Sequence, residues 1–359
     1  MISALDAMAR PLLHLLSPET AHRAAIISLK LANRLPMRAA PDAKLATEVF
    51  GLKFPNPLGL GAGFDKSAEA AGGLLACGFG FVELGTLTPR PQAGNPTPRL
   101  FRLEADGAVI NRMGFNNDGF EVARARLERF RPGGVIGVNI GPNKDAVDRV
   151  ADFVLGVKTF APYASYLTIN VSSPNTAGLR DLQRRDAFDD LVARVVDARD
   201  QARTRRPLLI KIAPDLDLRA LDDICAVAIQ RGADGLIVSN TTSTRPKDLR
   251  SPAADEAGGL SGRPLFAYST QGLARAYLRC EGALRLIGCG GVEDGETALA
   301  KIEAGADLVQ IYTGFVYRGA ELIDEILQHL RQAVEARAVS DVGALVGARA
   351  REWVANADA

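Results

Sequence analysis

Short apolar runs recur along the chain, most of them ending in glycine, asparagine, serine or threonine. They are rich in valine, isoleucine and leucine and do not alternate with polar residues, which is typical of strands covered on both faces. Segments with helical periodicity, such as 186–203 and 218–231, lie between most of them. Because strand and helix alternate eight times, the pattern predicts an α/β fold, a (β/α)8 TIM barrel, with an open doubly wound sheet as the main alternative. The predicted strands are 56–63, 81–86, 134–141, 166–172, 207–213, 235–240, 284–291 and 307–313.

Two connections, 87–133 and 241–270, are too long for simple crossovers between strands. Long ordered loops in a compact domain are usually lids or binding loops. Both would follow the carboxyl ends of strands, the face on which barrel enzymes place their sites. We therefore expect both segments to contribute to a site.

The first 40 residues carry a different pattern. Ser17 and Pro18 read as a helix cap followed by proline in the first turn, which predicts two short amphipathic helices over 4–16 and 18–34. With five basic and two acidic residues, this segment could lie in a membrane interface. A helical cap on the bottom of the barrel, or an oligomer contact, is the alternative. The tail from 338 to 359 either adds a helix or frays, and no role is assigned to it.

Composition narrows the function classes. The 359 residues carry a net charge of +1, which gives no electrostatic reason to expect a nucleic-acid partner. Four dispersed cysteines without CxxC spacing and only three histidines argue against disulfides and against a metal site. No apolar run approaches the roughly 18 residues that would span a bilayer, and the N-terminus does not resemble a secretory signal.

Polar residues at the ends of the predicted strands would converge in the barrel mouth. The glycines of "GCGG" (288–291) and "YTGF" (312–315) could cradle a phosphate with backbone N–H groups, or could serve plain turns. Lys211 lies within an apolar strand, so it must face an anion, either an electron-rich heterocycle or a structural carboxylate. The stretch "NVSSPNTAGLR" (170–180) contains no histidine, aspartate or glutamate that could serve as a base.

A set of motifs in the correct order resembles dihydroorotate dehydrogenase, from about residue 10 to residue 335. Serine in "SSPN" and the N-terminal "SPETAH" helix are similar to the membrane-associated, quinone-reducing class 2. The resemblance implies oxidation of (S)-dihydroorotate to orotate in UMP synthesis, with FMN as hydride acceptor and a quinone as final acceptor. The motifs are "GLGAGFDK" (59–66), "ELGTLTPRPQAGNPTPRLFRL" (83–103), "INRMGFNN" (110–117), "NVSSPNTAGLR" (170–180), "IKIAPD" (210–215), "SNTT" (239–242), "GGLSGRPL" (258–265), "GCGGV" (288–292) and "QIYTGF" (310–315).

The resemblance also implies roles for individual residues. Ser173 would be the catalytic base, with Thr176 and Phe115 on the route by which the proton leaves. His22, Arg102 and Tyr312 fall where the family's quinone tunnel meets the flavin. One FMN would be held by Ala62, Gly63, Phe64, Asp65, Lys66, Thr86, Asn139, Asn170, Lys211, Ser239, Gly262, Gly291, Tyr312 and Thr313. The substrate would be held by Lys66, Asn111, Arg112, Met113, Gly114, Phe115, Asn170, Asn175, Asn240 and Thr241.

The resemblance divides the chain into a membrane and quinone-access segment (1–40), an FMN-binding barrel (41–337) and a tail (338–359). It implies a monomer that binds dihydroorotate, orotate and a membrane quinone. The protein would associate peripherally through residues 1–40 with the cytoplasmic face of a bacterial inner membrane. Two hypotheses stay open beside this one: a lyase or isomerase acting on a phosphorylated substrate, and a non-catalytic scaffold on a membrane surface.

Overall fold

Eight parallel strands form a closed barrel in the computed structural model, which describes residues 10, 11, 13, 15–36, 42–129 and 133–358. β10 (Gly235–Val238) pairs with β12 (Arg285–Cys289), and β13 (Leu308–Ile311) pairs back with β3 (Leu58–Leu60), so the sheet has no open edge. This closure confirms the predicted barrel and excludes the doubly wound alternative. In spatial order the strands are β3 (Leu58–Leu60), β4 (Phe81–Leu87), β7 (Val135–Ile140), β8 (Tyr166–Asn170), β9 (Leu208–Ile212), β10 (Gly235–Val238), β12 (Arg285–Cys289) and β13 (Leu308–Ile311).

Helices follow the strands as the alternation predicts. Helix α6 (Leu218–Arg231) has the bounds that the periodicity predicted. The Asp217 side chain caps its first turn by accepting a hydrogen bond from the Ala220 N–H, and Gly232, in the left-handed region, ends the helix. The helices are α2 (Ala71–Ala76), α3 (Gly119–Arg129), α4 (Arg149–Phe160), α5 (Arg185–Asp200), α6 (Leu218–Arg231), α7 (Phe266–Cys280), α8 (Gly295–Glu303), α9 (Thr313–Arg318), α10 (Glu321–Ala336) and α11 (Ala350–Asp358).

The two long connections are not loops throughout, and here the sequence interpretation was incomplete. They contribute β5 (Leu100–Leu103), β6 (Ala108–Asn111) and β11 (Gly259–Gly262), which form a three-stranded antiparallel sheet in the order β11-β6-β5. Leu103, Ala108, Ile110 and Leu260 form a small core of this sheet. The pairing of β6 with β11 joins segments about 150 residues apart, so no local pattern marked it.

A second unpredicted element is the hairpin of β1 (Thr47–Val49) and β2 (Leu52–Phe54). Val49 and Phe54 pack in one cluster with Phe81, Tyr166 and Leu308 from the barrel interior. Phe81, Tyr166 and Leu308 are each the first residue of a barrel strand. The hairpin therefore closes the amino end of the barrel and leaves the carboxyl end for the site.

Helix α1 (Pro18–Leu31) docks on the barrel beside α2 and not on its bottom. A Cβ at Gly73 would lie 2.0 Å from the Leu29 carbonyl oxygen, so the two helices touch backbone to backbone. Arg99 Nε donates to Glu19 Oε1 at 3.0 Å and ties the same helix to β5. Of the predicted helix 4–16, residues 10, 11, 13 and 15 are helical, and the others, except Leu16, lie outside the described residues.

The tail forms helix α11 against α7. The Trp353 ring meets the Phe266 ring edge to face at 5.9 Å, and the Arg349 N–H donates to the Glu303 carbonyl at 2.8 Å. Of the two outcomes left open, an added helix is the one observed.

Candidate active site

A cavity of about 610 Å³ extends from helix α1 to the carboxyl ends of the barrel strands. The three-stranded sheet covers one side of it through residues such as Arg102, Val109 and Asn111. The described residues that line it include no aspartate or glutamate. They do include four cationic residues, Arg10, Lys66, Arg102 and Lys211. Cationic walls without carboxylates suit an anionic ligand.

Behind the cavity, Glu83 on β4 organises the barrel interior. Its carboxylate accepts hydrogen bonds from Asn139 Nδ2 (2.8 Å), Tyr166 OH (3.0 Å), Thr168 Oγ1 (3.1 Å) and Gln310 Nε2 (3.0 Å). Because a carboxylate only accepts, it orients both amides. The Gln310 oxygen, Oε1, is buried and has no hydrogen-bond partner, and Gln310 lines the cavity.

The donor–acceptor orientation that Glu83 sets for Asn139 continues to the strand ends. Asn139 Oδ1 accepts from Thr86 Oγ1 (2.6 Å) and from Asn170 Nδ2 (3.1 Å), which leaves Asn170 Oδ1 to accept from Ser172 Oγ (2.8 Å). Asn240 Nδ2 then donates to Ser172 Oγ at 2.8 Å. This chain of uncharged groups crosses from β4 to β10, so four strand ends are held in one hydrogen-bonded row.

Ser173 lies on the cavity wall and is buried. Its Oγ accepts from the Asn175 N–H at 3.2 Å, and Asn175 Nδ2 donates to Asn111 Oδ1 at 3.3 Å. Within the part of the chain that the structure describes, no imidazole or carboxylate is hydrogen bonded to Ser173. The assignment of Ser173 as a base without a local partner stays a prediction.

Phe115 faces the same cavity with an unusual backbone. Its φ is 55°, a left-handed conformation that bulky residues rarely adopt, and Asn117 Nδ2 donates to its carbonyl at 2.8 Å. A Cβ at Gly141 would lie 2.9 Å from the Phe115 ring. Asn117 and Gly141 thus hold the Phe115 ring in place.

Burial and neighbouring charge shift two titratable groups at the cavity. Burial, with a smaller contribution from the Arg99 charge, lowers the pKa of Lys66 to about 8, and Lys66 Nζ donates to the Gly63 carbonyl. Burial, followed by the Lys66 charge, lowers the pKa of His22 to about 3. His22 is therefore neutral at pH 7, with Nε2 donating to the Phe64 carbonyl at 2.6 Å.

The three residues assigned to the quinone site all line the cavity on the side of α1. The rings of His22 and Phe64 lie 5.3 Å apart and those of Phe64 and Tyr312 6.0 Å apart, so aromatic rings lead from α1 to the strand ends. Arg102 Nη1 donates to the Leu16 carbonyl at 3.1 Å, which joins β5 to the end of the first helical segment.

Most of the residues assigned from the sequence line this one cavity. From the cofactor set these are Ala62, Gly63, Phe64, Lys66, Thr86, Asn170, Lys211, Ser239, Gly262, Gly291, Tyr312 and Thr313. From the substrate set they are Lys66, Asn111, Met113, Gly114, Phe115, Asn170, Asn175, Asn240 and Thr241.

Four assigned residues lie outside the lining. Asp65 accepts from the backbone N–H groups of residues 67, 69 and 70, and Asn139 lies behind Thr86 in the polar row. Arg112 forms a salt bridge with Glu256 at 2.7 Å, and its guanidinium lies over the ring of Phe101 on β5. Thr176 is buried, and its carbonyl accepts from Leu179. These positions support the walls of the cavity, and the contacts assigned to the four residues stay predictions.

Sequence reasoning missed Glu83 and Gln310. The signal was present, since each is a polar residue inside an otherwise apolar strand, "FVELG" and "LVQI". Apart from Lys211, the polar residues that the sequence assigned to the site lie at strand ends or in loops, whereas Glu83 and Gln310 lie inside β4 and β13.

The family model described as Dihydroorotate dehydrogenase matches residues 44–334. The chain belongs to the dihydroorotate dehydrogenase family. A Bradyrhizobium sp. (strain ORS 278) protein named dihydroorotate dehydrogenase (quinone) is 55% identical over 355 residues, covering 98% of this chain and 97% of the relative. A Rhodopseudomonas palustris (strain HaA2) protein of the same name is 54% identical over 363 residues, covering 98% and 100%.

Solved structures of dihydroorotate dehydrogenases share the fold of this chain. The crystal structure of the Eimeria tenella enzyme in complex with ferulenol superposes with a TM-score of 0.89 at 40% identity, covering 93% of this chain and 96% of that one. The family resemblance and the barrel fold expected from the sequence are both confirmed. Among the described helices, none is long and apolar enough to cross a membrane.

Proposed function

We propose that the chain is a quinone-dependent oxidoreductase that converts (S)-dihydroorotate to orotate in pyrimidine biosynthesis. The observation that carries the proposal is the single cavity that places a buried serine, two lysines and several asparagine amides together, with no carboxylate in its described lining. An anionic substrate and an anionic cofactor both fit such walls, and relatives bearing the matching name cover the chain over nearly its whole length.

The residues present fit FMN. Gln310 Oε1 is a buried acceptor without a partner, and the backbone N–H groups of Gly290 and Gly291 make no hydrogen bond within the described residues. Both glycines have positive φ, 116° and 76°. We assign the phosphate to this turn with Gly262 and Thr313, and the ring system to Thr86, Asn170, Lys211 and Ser239. When bound, FMN would accept the hydride from the substrate and return the electrons to a quinone.

The substrate would lie against Lys66, Ser173 and the amides of Asn111, Asn175 and Asn240. Lys66 supplies a positive charge to an orotate carboxylate, and the amides bind ring edges without titrating. Ser173 Oγ would take the proton from C5 of dihydroorotate. Since serine is a weak base, the cationic surroundings must favour its deprotonated form, and Lys66 and Lys211 supply that charge.

The quinone would enter beside α1. The cavity wall there is largely apolar, with Ala21, Ala25 and Leu29, and it leads past His22 and Phe64 to Tyr312. Leu15, Leu16, Ile27, Leu31 and Leu35 are exposed around this entrance. We propose that residues 1–40 associate peripherally with a membrane through these side chains, on the cytoplasmic face of a bacterial inner membrane.

Two measurements on the purified full chain test the proposal. We expect a yellow protein whose visible absorbance bleaches when dihydroorotate is added without oxygen, and whose turnover is supported by a soluble ubiquinone analogue but not by fumarate or NAD. A colourless protein that does not take up FMN would contradict the flavin assignment. Bleaching that is reversed by fumarate or NAD but not by the quinone would contradict the assigned acceptor.

A further inference from the structure

Arg180, a side chain with no assigned role, contacts the loops that follow three neighbouring strands, and two of these loops carry assigned site residues. Nε donates to the Ser172 carbonyl at 2.9 Å, Nη1 donates to Asp215 Oδ2 at 2.6 Å, and Nη2 donates to the Thr241 carbonyl at 2.9 Å. Ser172 follows β8, Asp215 follows β9 and Thr241 follows β10. A planar guanidinium has the fixed fork of donors that such a three-way contact requires.

Asp215 extends the contact along the third loop. Its carboxylate accepts from Thr242 Oγ1, from the Ser243 N–H at 3.1 Å and from Ser243 Oγ at 3.2 Å. Burial raises the pKa of Asp215, but the hydrogen bonds from Thr242, Ser243 and Arg180 outweigh it and hold the pKa below its ordinary value. The carboxylate is thus charged at neutral pH. The Arg180 and Asp215 side chains are only 24% and 16% exposed, so solvent does not replace these contacts freely.

The atoms that Arg180 binds are those that orient the cavity wall. The Ser172 carbonyl belongs to the peptide that precedes Ser173, so its hydrogen bond fixes the plane from which the Ser173 side chain projects. The Thr241 carbonyl belongs to the residue that lines the cavity next to Asn240. Gly259 on β11 leaves room for both loops, because a Cβ there would lie 2.0 Å from Thr241 Oγ1 and 3.2 Å from Pro174.

We infer that Arg180 and Asp215 form a clamp that sets the position of Ser173 relative to the substrate-binding loop at 240–244. Arg180 is a positioning residue and not a catalytic one, since it does not line the cavity. The inference rests on the proposed function, because it assigns the clamp to the step in which Ser173 takes the C5 proton. It predicts that losing the clamp slows that step more than it weakens ligand binding, since a displacement of about 1 Å costs roughly 100-fold in rate.

The test compares four proteins, each loaded with FMN: the parent, Arg180→Met, Arg180→Lys and Asp215→Asn. Stopped-flow absorbance measures the rate of flavin reduction per bound FMN at saturating dihydroorotate, and the flavin spectrum measures orotate affinity. We expect Arg180→Met to lose roughly 100-fold in the reduction rate, with a smaller loss in orotate affinity. Arg180→Lys recovers part of the rate because it keeps the charge but not the fork. Asp215→Asn loses roughly tenfold, because the amide carries no charge and its one oxygen cannot accept from both Arg180 Nη1 and Thr242 Oγ1.

The matched control is Arg231→Met. It breaks another arginine–aspartate pair, Arg231 with Asp189, which lies on the outer helices α6 and α5 and does not line the cavity. This exposed pair should change the rate by no more than about twofold. If Arg180→Met fails to fold, the reduction rate of Asp215→Asn tests the clamp in its place. A reduction rate in Asp215→Asn within about twofold of the control overturns the clamp. A parent protein that dihydroorotate does not reduce overturns the proposed function instead, so the two failures are distinguishable.

Discussion

At the scale of single residues, the proposed chemistry depends on Ser173, which has no hydrogen-bonded base among the described residues. Ser173 Oγ receives a hydrogen bond from a backbone N–H, and the assigned charges that line the same cavity include Lys66 and Lys211. Its reactivity must come from a buried, cationic environment. The same environment explains why the amides around it are asparagines, because a carboxylate there would repel the substrate.

Replacing Ser173 with alanine tests this assignment. We expect Ser173→Ala to keep FMN and to bind orotate within a few-fold of the parent, because the side chain is small and contributes no charge. The rate of flavin reduction by dihydroorotate should fall roughly 10²–10⁴-fold, the usual contribution of a proton-transfer group. Anaerobic stopped-flow absorbance measures that rate. Ser172→Ala is the control for losing a neighbouring hydroxyl that bonds only within the polar row. A reduction rate near the parent's in Ser173→Ala would exclude it as the base.

We expect Lys66 to make orotate binding depend on pH. Its pKa of about 8 means that the ammonium form dominates below pH 8 and is lost above it. A bound carboxylate favours the charged form, so orotate affinity should be level below about pH 7.5 and should fall up to tenfold per pH unit above 8. Titrating the flavin spectrum with orotate from pH 6 to 9.5 measures this. Lys66→Met should bind orotate weakly and without this dependence. If orotate affinity falls above pH 8 in Lys66→Met as well, the titration belongs to another group.

At the scale of elements, helix α1 is held on the barrel by a backbone contact that requires glycine. Gly73→Ala should push α1 away from α2, because the new Cβ would lie 2.0 Å from the Leu29 oxygen. The expected cost of overpacking is about 1–3 kcal/mol, which outweighs the roughly 1 kcal/mol that alanine gains in a helix. Thermal unfolding measures stability. Quinone turnover should fall, whereas flavin reduction by dihydroorotate should stay near the parent rate.

Gly272→Ala is the matched control for that experiment. Gly272 also lies inside a helix, α7, but a Cβ there would meet its nearest atom at 4.0 Å. This substitution should leave stability unchanged or slightly raised, and quinone turnover unchanged. Equal effects of both substitutions would show that the close approach at Gly73 does not matter.

The same scale shows which elements a sequence can predict. The eight barrel strands were found because each is a buried apolar run, and α6 was placed by its helical periodicity, which agrees with the observed Asp217 cap and C-terminal Gly232. The sheet of β5, β6 and β11 was missed, since its strands are four residues long and β6 pairs with β11 across about 150 residues. Within the site, motif resemblance located most of the lining. It could not show that Arg112 faces Glu256, or that Glu83 orients Asn139 from behind, because those are contacts between distant strands.

At the scale of the whole molecule, α1, which lines one side of the cavity, and the helical residues before it carry exposed apolar side chains. Leu15 and Leu31 are each 83% exposed, although apolar residues of this size are usually covered. The segment that carries them has an excess of basic residues over acidic ones. A protein that receives its electron acceptor from a bilayer needs such a surface beside its entrance, and the barrel supplies the rigid base on which it is presented.

Charged substitutions on that surface should separate membrane binding from catalysis. The double variant Leu15→Glu, Leu31→Glu should fold and reduce its flavin with dihydroorotate as the parent does, because neither side chain belongs to the core. Burying one leucine side chain contributes about 1.5–3 kcal/mol, so binding to vesicles of phosphatidylethanolamine and phosphatidylglycerol should weaken at least tenfold. Sedimentation with vesicles measures the binding, and turnover with a vesicle-embedded quinone should fall with it. Leu155→Glu is the control, since Leu155 is exposed on α4 and does not line the cavity. Vesicle binding reduced equally by Leu155→Glu would show that the surface around α1 is not the one that meets the bilayer.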